Sequence, residues 1–149
     1  MSRNDTSTDG TERIVLIQCT NSKRDEPAPA RNLYDQSYYF RDYRSYAETF
    51  GDEWYILSAK HGLLKPETVI EPYDERGISE EQAIAIADYL AGRVTANTTI
   101  ELLAGMDYTD PLVPELERQT PADVVEPHRG LPIGKRRQKA QQAVAEVEP

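Results

Sequence analysis

The stretch from Arg13 to Cys19, RIVLIQC, constrains the fold more than any other part of the chain. Ile14, Val15, Leu16 and Ile17 follow one another with no polar residue between them. A strand with one face in water alternates apolar and polar side chains, so a strand that does not alternate is covered on both faces. The run is short for a helix and rich in β-branched residues, and we read it as a strand in the middle of a sheet. Trp54 to Leu57 repeats the pattern, TTIELLAG repeats it again, and ADVVEP supplies a shorter fourth strand.

Between these runs the period changes. Tyr39, Tyr43, Tyr46, Ala47 and Phe50 fall at helical spacing, which predicts a helix near 36–49 with Gly51 as its stop. Ser79 stands three residues before Gln82, a capping box, and opens a helix whose apolar stripe is Ala83, Ile86, Ala87 and Leu90. Pro111 and Pro114 are read as bracketing the entry to a short helix, PELERQT, and LPIGKRRQKAQQAVAEV as a closing helix. Strand and helix thus alternate four times. The expected fold is a three-layer α/β/α domain over residues 13–145, with a mainly parallel four-stranded sheet, after a disordered polar tail at 1–12.

Ligands of such sheets bind at the carboxyl ends of the strands, and the reactive residues gather there. The first end carries Cys19, Thr20, Asn21, Ser22 and Lys23; the second Ser58, Lys60 and His61; the third Asp107, Tyr108 and Asp110; the fourth His128 and Arg129. Both histidines, the only cysteine and two of the five lysines lie at these positions. Each residue also has a plain structural role open to it. Cys19 is either a small buried side chain or a thiolate stabilised by Lys23. Lys60 and His61 are solvated or ligand-facing, beside a Gly62 that permits a turn of positive φ. Asp74, in EPYDERG, caps a turn or acts as a base or ribose-binding carboxylate. Tyr34 and Tyr73 sit in loops where a ring can stack on a base, although the tyrosines are mostly helix-face packing. Lys135, Arg136, Arg137 and Lys139 form the only basic run: a solvated face, or a phosphate contact beside the helix start at Gly134.

Composition removes several classes. One Cys and two His cannot close a four-ligand zinc site, and one Cys cannot form an internal disulfide. No apolar run approaches the roughly 20 residues that span a bilayer, and the N-terminus lacks the apolar core of a signal peptide, so a cytoplasmic protein without a membrane role is expected. Acidic residues number 26 against 17 basic ones, a net charge of −9. That balance suits a salt-loving archaeon, and it disfavours nonspecific DNA binding without excluding recognition of one base or nucleotide in a pocket. Phosphate-loop, dinucleotide, zinc-protease and nucleophile-elbow templates are all missing.

The motifs CTNSK, LYDQSYYF, WYILSAKHGLL with PYD, and GLPIGKRR resemble, over residues 14 to about 139, a widespread family of small uncharacterised prokaryotic and phage proteins. More distantly, the order Cys19, Lys23, Tyr34, Ser37 is similar to the signature of the catalytic domain of archaeosine synthase, although Phe40 stands where that signature has a histidine. That enzyme adds an amine to the nitrile of 7-cyano-7-deazaguanine in tRNA, and its domain is grouped with uracil-DNA glycosylase-like folds. The resemblance implies that fold, a pocket built on Cys19, Lys23, Tyr34 and Ser37, and a histidine loop after the fourth strand, where this chain has His128.

Two functions are therefore expected in competition. In the first, the protein processes a purine-like or 7-deazapurine base, free, in a nucleotide or in tRNA, with no metal or other cofactor. Cys19 adds to an electrophilic carbon, Lys23 lowers its pKa or holds a phosphate, and His128 or Asp74 moves protons. Tyr34 or Tyr73 stacks on the base, and Thr20, Asn21, Ser22, Ser37, Ser58, Lys60, His61, Asp107, Tyr108 and Lys135 line the pocket. In the second, the same residues serve only as hydrogen-bonding groups of a nucleotide- or nucleic-acid-binding module, a partner within a larger modification or defence system. A base-cleaving glycosylase is the weakest reading, because no carboxylate precedes Asp25 at the first strand end.

Overall fold

A computed structural model of the chain describes residues 12–19, 26–34, 37–70 and 77–147. In chain order its elements are β1 (Glu12–Gln18), β2 (Ala28–Pro29), α1 (Ala30–Leu33), α2 (Tyr38–Phe50), β3 (Glu53–Ser58), β4 (Gly62–Leu64) and β5 (Val69–Ile70). They continue with α3 (Glu80–Ala91), β6 (Thr98–Leu103), α4 (Met106–Gln119), β7 (Asp123–Val125) and α5 (Ile133–Val147). The main sheet has five strands in the order β4-β3-β1-β6-β7. β1 runs parallel to both β3 and β6, and β6 parallel to β7, while β4 turns back antiparallel on β3.

The apolar run that defines β1 lies at the centre of this sheet, and Ile14, Val15, Leu16 and Ile17 have no exposed surface. Burying each such side chain contributes about 1.5–3 kcal/mol, which makes this strand the main anchor of the core. α2 packs on β1 and against α5, and α3 packs against α4. Right-handed crossovers place these pairs on opposite faces of the sheet, because the first crossover moves from β1 to β3 and the later ones move the other way. At the end of α2, Gly51 leaves no room for a side chain: a Cβ there would lie 2.8 Å from the Glu53 carbonyl oxygen.

The structure corrects the expected sheet, which is mixed and five-stranded rather than four-stranded. The extra strand is β4, whose residues were read as part of the polar end of β3. Gly62, at φ +76°, provides the positive-φ turn that sends the chain back. β1 also begins at Glu12, inside the segment read as a tail, where it pairs with Thr98. The third correction is α4, a helix of 14 residues that starts at Met106 and contains both prolines, instead of a short helix entered at Pro114. Pro111 has no N–H to give the Asp107 carbonyl one turn back. That carbonyl instead accepts the Ile78 N–H at 3.3 Å, so the missing helix bond becomes a tie to the segment before α3. Among the described residues no helix is long and apolar enough to cross a membrane.

Candidate ligand-binding site at the carboxyl edge

The parallel strands bring their carboxyl ends to one edge, where the chain departures are tied together by side chains. Gln18, the last residue of β1, accepts the Gly105 N–H on its Oε1 at 2.6 Å and so fixes the start of α4 against the central strand. Cys19 continues the ladder, its N–H donating to the Leu57 carbonyl at 2.9 Å. Its side chain is only 3% exposed. The Cys19 Sγ lies 3.2 Å from the Oη of buried Tyr108, on α4.

A second buried pair stands on the α2 side. His128, in the turn after β7, is 6% exposed, and its Nδ1 lies 2.8 Å from the Tyr43 Oη. Burial, followed by the positive charges of Arg136 and Lys139, holds the His128 pKa below its ordinary value, so the ring is neutral at pH 7. Tyr43 is pushed well above the ordinary phenol range, first by burial and then by neighbouring Tyr39, and keeps its proton. With that phenol as donor, Nδ1 accepts and the ring proton resides on Nε2.

Arg136 closes the edge from α5. It is 8% exposed, and its Nε donates to the Leu131 carbonyl at 2.7 Å and its Nη1 to the Ala104 carbonyl at 3.1 Å. Between these groups lies a cleft of about 260 Å³, walled by Gln18, Tyr39, Gly105, Asp107 and Tyr108 and by the first residues of α5 with Arg136. It offers two phenols, an amide, a carboxylate and a guanidinium. A wider depression of about 480 Å³ lies where β4 meets α3, lined by His61, Gln82, Ile86 and Tyr89 among others. Its Gln82 side chain is already committed to Ser79 and to the Ala59 carbonyl, and it contains no buried charge. The smaller cleft is the better-equipped site.

Of the residues expected in a site, Asp107 and Tyr108 line this cleft and Cys19 stands directly behind Tyr108. His128 is held behind Tyr43. Ser58 is buried and its Oγ accepts the His61 N–H at 3.1 Å, shaping the turn, while Lys60 and His61 are exposed. Lys135 is exposed on the first turn of α5, and Asp110 is exposed near Arg129. Tyr34 has its ring in the core, 5.2 Å from Phe40, rather than at a loop surface. Ser37 caps α2 by accepting the Phe40 N–H. Thr20, Asn21, Ser22, Lys23, Tyr73 and Asp74 lie outside the described residues. Gln18, Tyr39 and Gly105 were missed. Gln18 signals itself only as the polar residue that ends an apolar run, and Tyr39 was counted with the helix face. Among the described residues no three His, Cys, Asp or Glu side chains converge.

Comparison with known proteins places the chain without assigning it an activity. A model described as a family of unknown function, DUF6884, matches residues 14–142. The uncharacterized protein YfjM of Bacillus subtilis (strain 168) is 37% identical over 65 residues, which cover 40% of this chain and 43% of that protein. No solved structure matches.

Proposed function

For this chain, which belongs to the family of unknown function DUF6884, we propose a role as a cytoplasmic nucleobase- or nucleotide-binding protein whose ligand occupies the carboxyl-edge cleft. The observation that carries this reading is the convergence of Tyr39, Tyr108, Gln18, Asp107 and Arg136 on one cleft at the strand ends. Phenols offer ring surface and donors, and Asp107 accepts from base N–H or sugar O–H groups. A cleft of about 260 Å³ falls just below the range of about 300–1,000 Å³ typical of drug-sized ligands. It suits one base with a small substituent, with the remainder of a nucleotide or tRNA outside it. Burial of Cys19 favours binding without chemistry, as a partner in a larger modification or defence system. The test is calorimetric titration of the full chain, in high salt, with purine bases, nucleosides, nucleotides and bulk tRNA. Saturable binding of a base-bearing ligand, weakened by Asp107→Ala, supports the reading; no binding in any of the four classes removes it.

The contact of Cys19 Sγ with Tyr108 Oη at 3.2 Å favours a second reading, in which the bound base is processed. Only one side chain then separates the thiol from the cleft. The thiolate would add to a nitrile carbon while the nitrogen takes up a proton, and an amine would then displace the sulfur from the thioimide. Four parallel strands, helices on both faces and a histidine turn after the last of these strands support the uracil-DNA glycosylase-like and archaeosine synthase-like form of this reading. Mass analysis of tRNA and deazapurine nitriles after incubation tests it. A product that is lost in Cys19→Ser supports processing, and unchanged turnover in that variant removes the nucleophile.

A further inference from the structure

Arg136 is the only buried arginine among the described residues. A buried charge is costly unless an opposite charge stands near it. Its bonds to the Leu131 and Ala104 carbonyls satisfy donors and fix the guanidinium plane, but they bring no negative charge. Among the described residues no carboxylate pairs with it, although the neighbouring Arg137 reaches Asp42 at 2.8 Å and Arg129 reaches Glu126 at 3.0 Å. The described residues thus leave this buried guanidinium without a carboxylate partner, on the wall of a cleft.

Of the two helix starts beside it, that of α4 carries Asp107 in its first turn and gives its Gly105 N–H to Gln18, whereas α5 has no acidic residue in its first turn. Free N–H groups and the positive end of the helix dipole at the start of α5 favour an anion. Asp107 is the one carboxylate on the cleft wall, and it is exposed at the rim. From this arrangement we propose that Arg136 and the start of α5 form an oxyanion subsite, which takes a phosphate or carboxylate group of the cleft's ligand. The planar fork suits two oxygens of either group, and Asp107 faces the donor-bearing part of the molecule. The proposal rests on the cleft being the ligand site.

The test is an NMR titration of the full chain in chloride-poor buffer with inorganic phosphate, with acetate, and with a nucleoside and its monophosphate. The readout is the Arg136 Nε–H together with the Gly134 amide. Saturable shifts with phosphate assign a phosphoryl subsite, and saturable shifts with acetate alone assign a carboxylate subsite. The monophosphate is expected to bind about 10- to 100-fold more tightly than the nucleoside, a preference lost in Arg136→Gln. Asp107→Asn, an exposed change that guards against a folding defect in the arginine variant, is expected to tighten phosphate binding several-fold. No saturable shift with either oxyanion, or phosphate affinity unmoved by Asp107→Asn, overturns the subsite. Equal affinity for nucleoside and monophosphate overturns the subsite while sparing the nucleobase reading. Phosphate binding with no preference for any base upholds the subsite and removes that reading instead.

Discussion

His128 is neutral in the fold because burial and two cations oppose its proton, and this ties stability to pH. Its folded pKa lies below the unfolded value of about 6.5, so the unfolded chain takes up the proton first. The stability it supports is complete above about pH 6.5 and falls as the pH drops from there toward the lowered folded pKa. Thermal melts from pH 7.5 to 5 should show this loss, and His128→Gln should flatten it relative to wild type. Tyr43→Phe leaves the buried Nδ1 without its 2.8 Å partner and is expected to cost about 1–3 kcal/mol in denaturant unfolding. The edge that these residues build was only partly legible beforehand. The Tyr43–His128, Gln18–Gly105 and Cys19–Tyr108 contacts join positions 85, 87 and 89 residues apart. Local spacing places Cys19 and Tyr108 at strand ends, but it cannot show that one covers the other.

The secondary elements follow their local chemistry closely where a single rule governs them. The capping box of α3 forms as expected, Ser79 Oγ accepting the Gln82 N–H at 3.1 Å and Gln82 Oε1 accepting the Ser79 N–H at 2.8 Å. Ser79→Ala is expected to cost about 1 kcal/mol, readable as a lower midpoint in urea. α4 shows how a local rule fails: two prolines normally argue against a helix interior, yet the helix runs through both because Ile78 occupies the carbonyl that Pro111 frees. Pro111→Ala restores an N–H that competes for the same oxygen. The expected result is faster hydrogen exchange at the Ile78 amide with no loss of global stability, since Ala is favoured over Pro by up to about 3 kcal/mol in a helix. Slower or unchanged exchange there would show that the tie does not depend on the proline.

For the molecule as a whole, the continuous apolar runs were enough to foresee a largely parallel sheet clad in helices, because only two-sided burial explains such runs. β4 escaped notice because three residues give no period to read. The net charge of −9 opposes compaction through self-repulsion, and salt screens it within about 10 Å at 0.1 M. The melting temperature is therefore expected to rise between 0.1 M and 1 M sodium chloride, and a fall would mean that the surface ion pairs outweigh the repulsion. The same salt strengthens apolar association between molecules, which bears on how the sheet ends. Both outer strands, β4 and β7, are three residues long, with Lys65 just after one and Asp123 opening the other. A neighbouring copy thus finds only a brief, charged rail on which to lay a strand of its own, where a long bare edge would seed fibres.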